Sequence, residues 1–135
     1  MILGTGIDLV HIPSFADQLS DRASQFVNAT FTGEEVAYSE STAKSRKAQH
    51  LAARFAAKEA AVKALDGACA RVGITPPRVS LREIEVERDG SGRPLLQFRA
   101  SAAAVAVSAG VDRAWVSLTH DGDYAAAFVT LERLA

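Results

Sequence analysis

The chain has 135 residues, a formal net charge of −1 and a single cysteine, which suits one domain over residues 1–135 and excludes an intrachain disulfide or a multi-cysteine metal site. A nearly neutral chain is not expected to bind nucleic acid through a general basic surface. The first residues form no basic segment and reach an acid at Asp8, and no apolar run approaches the roughly 18 residues of a membrane span, so we expect a cytoplasmic protein without signal peptide or membrane contact.

The first part of the chain predicts one strand and then helices. Ile2 to Val10 alternates small and branched residues, which predicts a strand with Asp8 near its C-terminal end. Asp8 could be a turn former, the cap of the next helix or a metal ligand at a strand end. Three short helices are predicted to follow, over residues 13–19, 24–31 and 32–41, the last beginning at a capping box formed by Thr32 and Glu35.

The longest predicted helix runs from about Ser45 to Leu65 and ends at Asp66-Gly67, with alanine as its main residue. Its apolar stripe consists of Leu51, Phe55, Val62 and Leu65. Its charges form two rows four residues apart, Arg54 with Lys58 and Glu59 with Lys63. Glu59 with Lys63 would ordinarily be a surface ion pair, but a face of alanine, cations and one carboxylate also suits an anion with a metal ion beside it.

The second part of the chain predicts two hairpins around a helix. Residues 79–88 and 94–99 alternate in hydrophobicity about an Asp89–Gly92 turn, and Glu83, Glu85 and Glu87 would form the solvated face of this hairpin. Ser101 would cap a helix that ends at Gly110, before a closing hairpin over residues 113–120 and 124–132. We therefore predict an α+β fold, with an antiparallel sheet packed against the long central helix.

Two sets of side chains could carry chemistry. Ser117, His120 and Asp121 suggest a hydrolase triad, but Ser117 and His120 would point to opposite faces of one strand. The better set is Asp8, Glu59, Lys58, Lys63 and Arg54, together with His120. Two carboxylates with phosphate oxygens and water suit Mg²⁺, and neighbouring cations would neutralise a transferring phosphate.

The same segments resemble a known family. Gly6-Ile7-Asp8-Leu9-Val10, Arg54 to Ala60 followed by Lys63-Ala64, Gly92-Arg93-Pro94, and Ser117 to His120 leading to Tyr124 to Ala127 are similar, in order and spacing, to the holo-[acyl-carrier-protein] synthases. These are short 4′-phosphopantetheinyl transferases, and the resemblance covers essentially the full chain. The resemblance implies the 4′-phosphopantetheinyl transferase fold and a Mg²⁺-dependent enzyme of fatty acid biosynthesis. It would transfer the phosphopantetheine arm of coenzyme A to a serine of apo acyl carrier protein and release adenosine 3′,5′-bisphosphate.

The resemblance also implies roles for individual residues. Asp8 and Glu59 would hold Mg²⁺ with the pyrophosphate of the coenzyme, Lys63 would contact that pyrophosphate, and Asp8, Glu59 and Lys63 would be the catalytic residues. Arg54, Lys58 and His120 would lie along the coenzyme, with His120 at its 3′-phosphate. A homotrimer with the nucleotide in clefts between subunits is implied as well.

Two features depart from the family pattern. Family members commonly present a basic first helix to the acidic carrier protein, whereas Asp17 and Asp21 here lie beside only Arg22. The partner would then be a less acidic acyl carrier protein or a carrier domain of a fatty acid synthase. The family also tends to follow its Lys-Ala pair with a Gly-Ser/Thr-Gly loop, where this chain has Leu65-Asp66-Gly67-Ala68.

Two other functions are consistent with the same residues. A metal-dependent hydrolase of a nucleotide diphosphate would use the same ions with a positioned water in place of the carrier serine. A trimeric binding module without catalysis would use Asp8 as a cap and Glu59 as a surface pair, so that replacing Glu59 by Gln would leave its function unchanged.

Overall fold

The computed structural model describes residues 1–21 and 24–135, and within them five strands and five α-helices. In chain order these are β1 (Ile2–His11), α1 (Ile12–Ser20), α2 (Phe26–Thr30), α3 (Gly33–Ser41), α4 (Lys47–Arg71), β2 (Ile84–Arg88), β3 (Pro94–Phe98), α5 (Ala100–Ser108), β4 (Arg113–Asp121) and β5 (Tyr124–Glu132). This order confirms the predicted α+β class. Among the described residues, no helix combines the length and the apolar character needed to cross a membrane.

The central sheet has the antiparallel strand order β1-β5-β4 and packs against α4, as predicted. β1 approaches α4 closely because glycines face the helix. A Cβ atom at Gly4 would collide with the carbonyl oxygen of Ala64, and one at Gly6 with that of Ala60. The alanines of α4 that meet the sheet are completely buried, so small residues on both sides produce this close approach.

The alternation of side chains along β1 decides where Asp8 lies. Ile7 and Leu9 point away from α4 and are 64% and 65% exposed, whereas Asp8 lies on the face toward the helix. The interpretation of Asp8 as a helix cap is wrong, because the cap of α1 is His11, whose Nδ1 accepts a hydrogen bond from the amide of Ser14. The side chain of Asp8 is therefore available for a site between β1 and α4.

The predicted end of the long helix at Asp66-Gly67 is wrong, because α4 continues to Arg71. Gly67 lies inside the helix opposite Gly4, and the residues after it, Ala68 and Cys69, are completely buried. This burial offsets the cost of a glycine in a helix interior, which is about 1 kcal/mol.

Gly73, two residues after the end of α4, terminates the helix and has a φ of 72°. The amide of Gly73 bonds to the carbonyl of Ala70, and the amide of Ile74 bonds to that of Cys69. These two bonds form a Schellman motif, in which glycine adopts the left-handed conformation with the least strain.

The first hairpin forms from β2 and β3, but its glutamates are not a solvated face as predicted. Glu85 is 6% exposed and accepts hydrogen bonds from Arg99. Glu83 accepts from the amide of Ala102 and the hydroxyl of Ser101, so Glu83 caps α5 and Ser101 does not. The alternating pattern could not distinguish solvated glutamates from glutamates that bind neighbouring donors.

Candidate active site

Asp8 and Glu59 line one open cavity between the end of β1, α1 and α4, which we call the carboxylate cavity. The side chain of Asp8 is 19% exposed, and Glu59 is half-buried on the part of α4 that faces it. The rim of the cavity includes Ser14 and Gln18 of α1. Two acids from distant parts of the sequence thus meet at the point where the close packing of β1 and α4 places them.

Lys63 lies beside this pair. Its Nζ donates to Asp8 Oδ1 at 3.2 Å and to the carbonyl oxygen of Ile7 at 2.8 Å, while its side chain remains 54% exposed. One turn separates Lys63 from Glu59 on α4, so both point to the same side of the helix. The ammonium group can therefore reach an anion bound at the carboxylates.

The environment raises the pKa of Glu59. Partial burial is the main cause, the charge of Asp8 adds to it, and the ammonium group of Lys63 acts in the opposite direction. Two carboxylates that repel each other are stabilised by a shared cation or by a proton on one of them. The position of Glu59 therefore suits both a metal ligand and a base for a proton.

The donor set fits Mg²⁺. Among the described residues, no group of three or more His, Cys, Asp or Glu side chains could hold a metal ion, so the chain offers carboxylate oxygens from Asp8 and Glu59 alone. Mg²⁺ is commonly bound by one or two carboxylates, with water and substrate phosphates completing its octahedron. A complete protein cage is therefore not needed.

The structure places Lys58 away from the carboxylate cavity. Its side chain is completely buried, and its Nζ lies 2.8 Å from Glu35 Oε1, 2.9 Å from the carbonyl oxygen of Leu81 and 2.6 Å from that of Ile84. These three acceptors use all three N–H donors of the ammonium group. The predicted contact of Lys58 with the coenzyme would require one of these bonds to break.

Arg54 is also buried, at 4% exposure. Its guanidinium carbon lies 4.3 Å from the ring centre of Tyr38, and its Nη1 donates to the carbonyl oxygen of His50 at 3.3 Å. Arg54 Nε is buried without a hydrogen-bond partner. Arg54 and Lys58 therefore do not form an exposed row of charges on α4.

Arg54 and His120 come together in a second cavity of about 210 Å³, which we call the basic cavity. His50 and Arg88 also line it. Burial lowers the pKa of His50, and the charges of Arg54 and Arg88 lower it further. An anion bound there would relieve the repulsion among these groups.

The two cavities lie on different sides of α4. Arg54 and Glu59 are five residues apart, which places them about 140° apart around the helix axis. Asp8, Glu59 and Lys63 therefore form one group in a single chain, and Arg54 and His120 form another.

A third cavity, of about 550 Å³, lies on the other side of Glu59, and we call it the wall cavity. One of its walls is the segment 76–81, whose residues all line it. Val62 and Leu65 of α4 contribute apolar surface, and Asp66 lies at the same side as Glu59. Glu59 therefore lines two adjoining spaces, each large enough for part of a nucleotide-sized ligand.

Comparison with known proteins agrees with this geometry. The family model described as the 4′-phosphopantetheinyl transferase superfamily matches residues 4–129. Holo-[acyl-carrier-protein] synthases from Koribacter versatilis and Mycobacterium tuberculosis are 42% and 40% identical to this chain, covering 98% and 97% of it and 99% and 97% of their own lengths. The structure of the ACPS–CoA complex from Chronobacterium ammoniagenes has a TM-score of 0.82 and 37% identity, covering 97% of each chain.

The chain belongs to the 4′-phosphopantetheinyl transferase superfamily. The resemblance seen in the sequence motifs and the predicted fold are thereby confirmed. A holo-(acyl-carrier-protein) synthase from Bacillus anthracis, in complex with CoA (3′,5′-ADP), has the same fold at a TM-score of 0.74 and 30% identity, covering 99% of each chain.

Sequence reasoning missed two residues around the sites of this superfamily member. Arg88 lines the basic cavity, and Tyr38 packs against the guanidinium groups of both Arg54 and Arg88. Arg88 could have been found from its position in β2, because alternation places it on the same face as the buried Ile84 and Val86. No sequence signal marks Tyr38. Arg22 of the predicted first-helix region lies outside the described residues.

Proposed function

We propose that this protein transfers the 4′-phosphopantetheine group of coenzyme A to a serine of an apo acyl carrier protein, giving the holo carrier and adenosine 3′,5′-bisphosphate. The meeting of Asp8, Glu59 and Lys63 at one cavity, in a member of the 4′-phosphopantetheinyl transferase superfamily, is the observation that carries this proposal. Its relatives are named holo-[acyl-carrier-protein] synthases, and two of the similar structures are complexes with coenzyme A or its nucleotide.

Asp8 and Glu59 would hold Mg²⁺ at the carboxylate cavity. When bound, the ion would neutralise negative charge on the pyrophosphate and polarise the reacting phosphorus. Lys63 Nζ, already within reach of Asp8, would donate to the pyrophosphate oxygens and stabilise the charge that grows on the leaving group.

The reaction needs one proton acceptor. The Oγ of the carrier serine forms a bond to the phosphorus that bears the pantetheine arm, and the bond from that phosphorus to the bridging oxygen breaks. We propose Glu59 as the group that takes the serine proton, because its carboxylate lines the cavity that the serine must enter.

The basic cavity would bind the 3′-phosphate of the coenzyme through Arg54 and His120. Because it lies on another side of α4 from the carboxylate cavity, we propose that the coenzyme extends between two copies of the chain. The outer face of the sheet supports a homotrimer, because large apolar side chains remain exposed on it: Ile7, Leu9, Trp115, Tyr124 and Phe128.

The carrier would approach across α1, which forms the rim of the carboxylate cavity. Asp17 is exposed on this helix and Asp21 follows it, so the acceptor is a less acidic acyl carrier protein or a carrier domain of a fatty acid synthase. As expected from the sequence, we place the reaction in fatty acid biosynthesis in the cytoplasm.

Mass spectrometry of candidate apo carriers, incubated with this protein, coenzyme A and Mg²⁺, tests the proposal. The expected result is a carrier whose mass increases by one phosphopantetheine group, with no increase when Mg²⁺ is chelated or the acceptor serine is replaced by alanine. Release of the nucleotide from coenzyme A at the same rate without any carrier would instead identify a hydrolase.

A further inference from the structure

Lys58 connects three elements at the centre of the molecule. From α4, its ammonium group reaches Glu35 of α3 and the carbonyl oxygens of Leu81 and Ile84, at the entry to β2. Glu35 extends the network, because its Oε2 accepts the amide of Val86 at 2.9 Å. Lys58 thus fixes the point at which the chain enters the first hairpin.

The segment that ends at this point forms the wall of the cavity beside Glu59. Residues 76–80 belong to no helix or strand, so few backbone bonds hold them in place. The bond from Lys58 to Leu81 lies at the end of this segment, and Arg82 donates to the carbonyl oxygen of Asn28 just after it. Lys58 and Glu59 are neighbours on α4. Glu59 therefore lines the wall cavity, while Lys58 holds the segment that forms its opposite wall.

Stability alone is a weak reason for this arrangement. Lys58 and Glu35 are both 0% exposed, and burial of two charges carries a desolvation cost that their attraction only partly repays. Apolar residues of similar volume often replace such a pair without loss of stability. What an apolar side chain cannot do is bind the carbonyl oxygens of Leu81 and Ile84.

We propose that Lys58 is a positioning residue, which holds the wall segment 76–81 across the cavity from Glu59 and thereby sets the affinity for the part of coenzyme A that lies there. This inference rests on the proposed function. It replaces the direct contact between Lys58 and the coenzyme that the sequence suggested. Glu35 compensates the charge of Lys58.

A double substitution separates positioning from stability. Lys58→Met combined with Glu35→Gln removes both charges and the bonds to Leu81 and Ile84, while Glu35→Gln alone leaves those two bonds in place. We expect the double variant to remain folded, and its KM for coenzyme A to rise roughly tenfold to hundredfold, as for the loss of a charged hydrogen bond, with kcat changed less than about threefold. The KM of the single variant should stay close to that of the wild type.

Amide hydrogen exchange reports how firmly the wall segment is held, and it does not require enzyme activity. The amides of Glu83 and Ile84, which donate to the carbonyl oxygens of Ser80 and Leu81, should exchange at least about tenfold faster in the double variant than in the wild type. Glu85→Gln is the matched control, because it removes the charge of a second buried glutamate, which pairs with Arg99, without touching the bonds of Lys58. This control should change neither the exchange of the Glu83 and Ile84 amides nor the KM.

Two results would overturn the inference. One is a double variant whose exchange and KM both equal those of the wild type. The other is a folded double variant in which kcat collapses while KM is unchanged, which would give Lys58 a direct part in the chemistry. A wild-type protein that transfers nothing to any carrier would refute the proposed function instead, and the exchange comparison would still decide whether Lys58 holds the wall.

Discussion

Glu59 combines its proposed catalytic role with a cost in stability. It is half-buried, it faces Asp8, and it lines both the carboxylate cavity and the wall cavity. We predict that Glu59→Gln lowers kcat at least several hundredfold, the size of effect seen when a key electrostatic group is removed. Single-turnover transfer to an apo carrier measures this. Glu40→Gln, on the exposed surface of α3, is the control, and a Glu59→Gln variant with an unchanged rate would favour the non-catalytic binding module.

The raised pKa of Glu59 predicts a pH-dependent stability of the metal-free protein. A carboxyl whose pKa is higher in the folded than in the unfolded chain binds its proton more tightly when folded, so its ionised form destabilises the fold above that pKa. Glu59→Gln should therefore raise the Tm at neutral pH, and the gain should disappear as the pH falls through the pKa of Glu59. Thermal denaturation in chelator at a series of pH values tests this, and a Tm gain of the same size at low pH would contradict it.

At the residue scale, the sequence predicted side chains with charges but not their burial. The chemistry of two carboxylates and a cation grouped Asp8, Glu59 and Lys63, and the structure brings these three together. Lys58 and Arg54 have the same four-residue spacing, yet the structure buries both. Their partners, Glu35 and Tyr38, lie on another helix, and pairing between helices is a tertiary property that the helical period does not encode.

The true end of α4 can be tested with two glycines. Gly67 lies within the helix, and a Cβ there would have only an ordinary contact of 3.9 Å with Gly4. Gly67→Ala should therefore stabilise the protein by about 0.5–1 kcal/mol. Gly73→Ala should destabilise it by about 1–2 kcal/mol, because alanine is strained at a φ of 72°. Urea denaturation measures both, and the opposite pair of signs would place the helix end at Gly67.

At the element scale, local signals worked where the bonds are local. The capping box of Thr32 and Glu35 exists as predicted, with both of its hydrogen bonds formed within four residues. The helix end predicted at Gly67 was wrong because this glycine packs against β1, which is distant in the sequence. For the same reason the cap of α5 escaped prediction, since it comes from Glu83, just before β2.

The outer face of the sheet predicts how the whole molecule assembles. Phe128 is 46% exposed on the middle strand β5, and β1 and β4 add further exposed apolar side chains on either side of it. Phe128→Asp should convert a trimer into monomers and abolish transfer, if the coenzyme site needs two subunits. Val107→Asp, at a 76% exposed residue of α5, should leave a trimer intact. Sedimentation equilibrium decides this, and a wild-type monomer with full activity would refute the proposed assembly.

At the scale of the whole molecule, the order of elements was enough to predict the fold class, because short turns fix which strands are neighbours in each hairpin. The sequence could not predict that one chain separates the carboxylate cavity from the basic cavity. The two cavities are separate because Arg54 and Glu59 lie on different sides of α4. Residues of β4 line the cavity beside Arg54, and residues of β1 line the cavity beside Glu59.

The close approach of Gly6 to Ala60 has one more consequence. Asp8 follows Gly6 by two residues and Glu59 precedes Ala60 by one, so the gap between the two acids is set by this contact between β1 and α4. A single methyl group added at Gly6 would push the strand off the helix and carry Asp8 away from Glu59, although neither acid had itself been replaced.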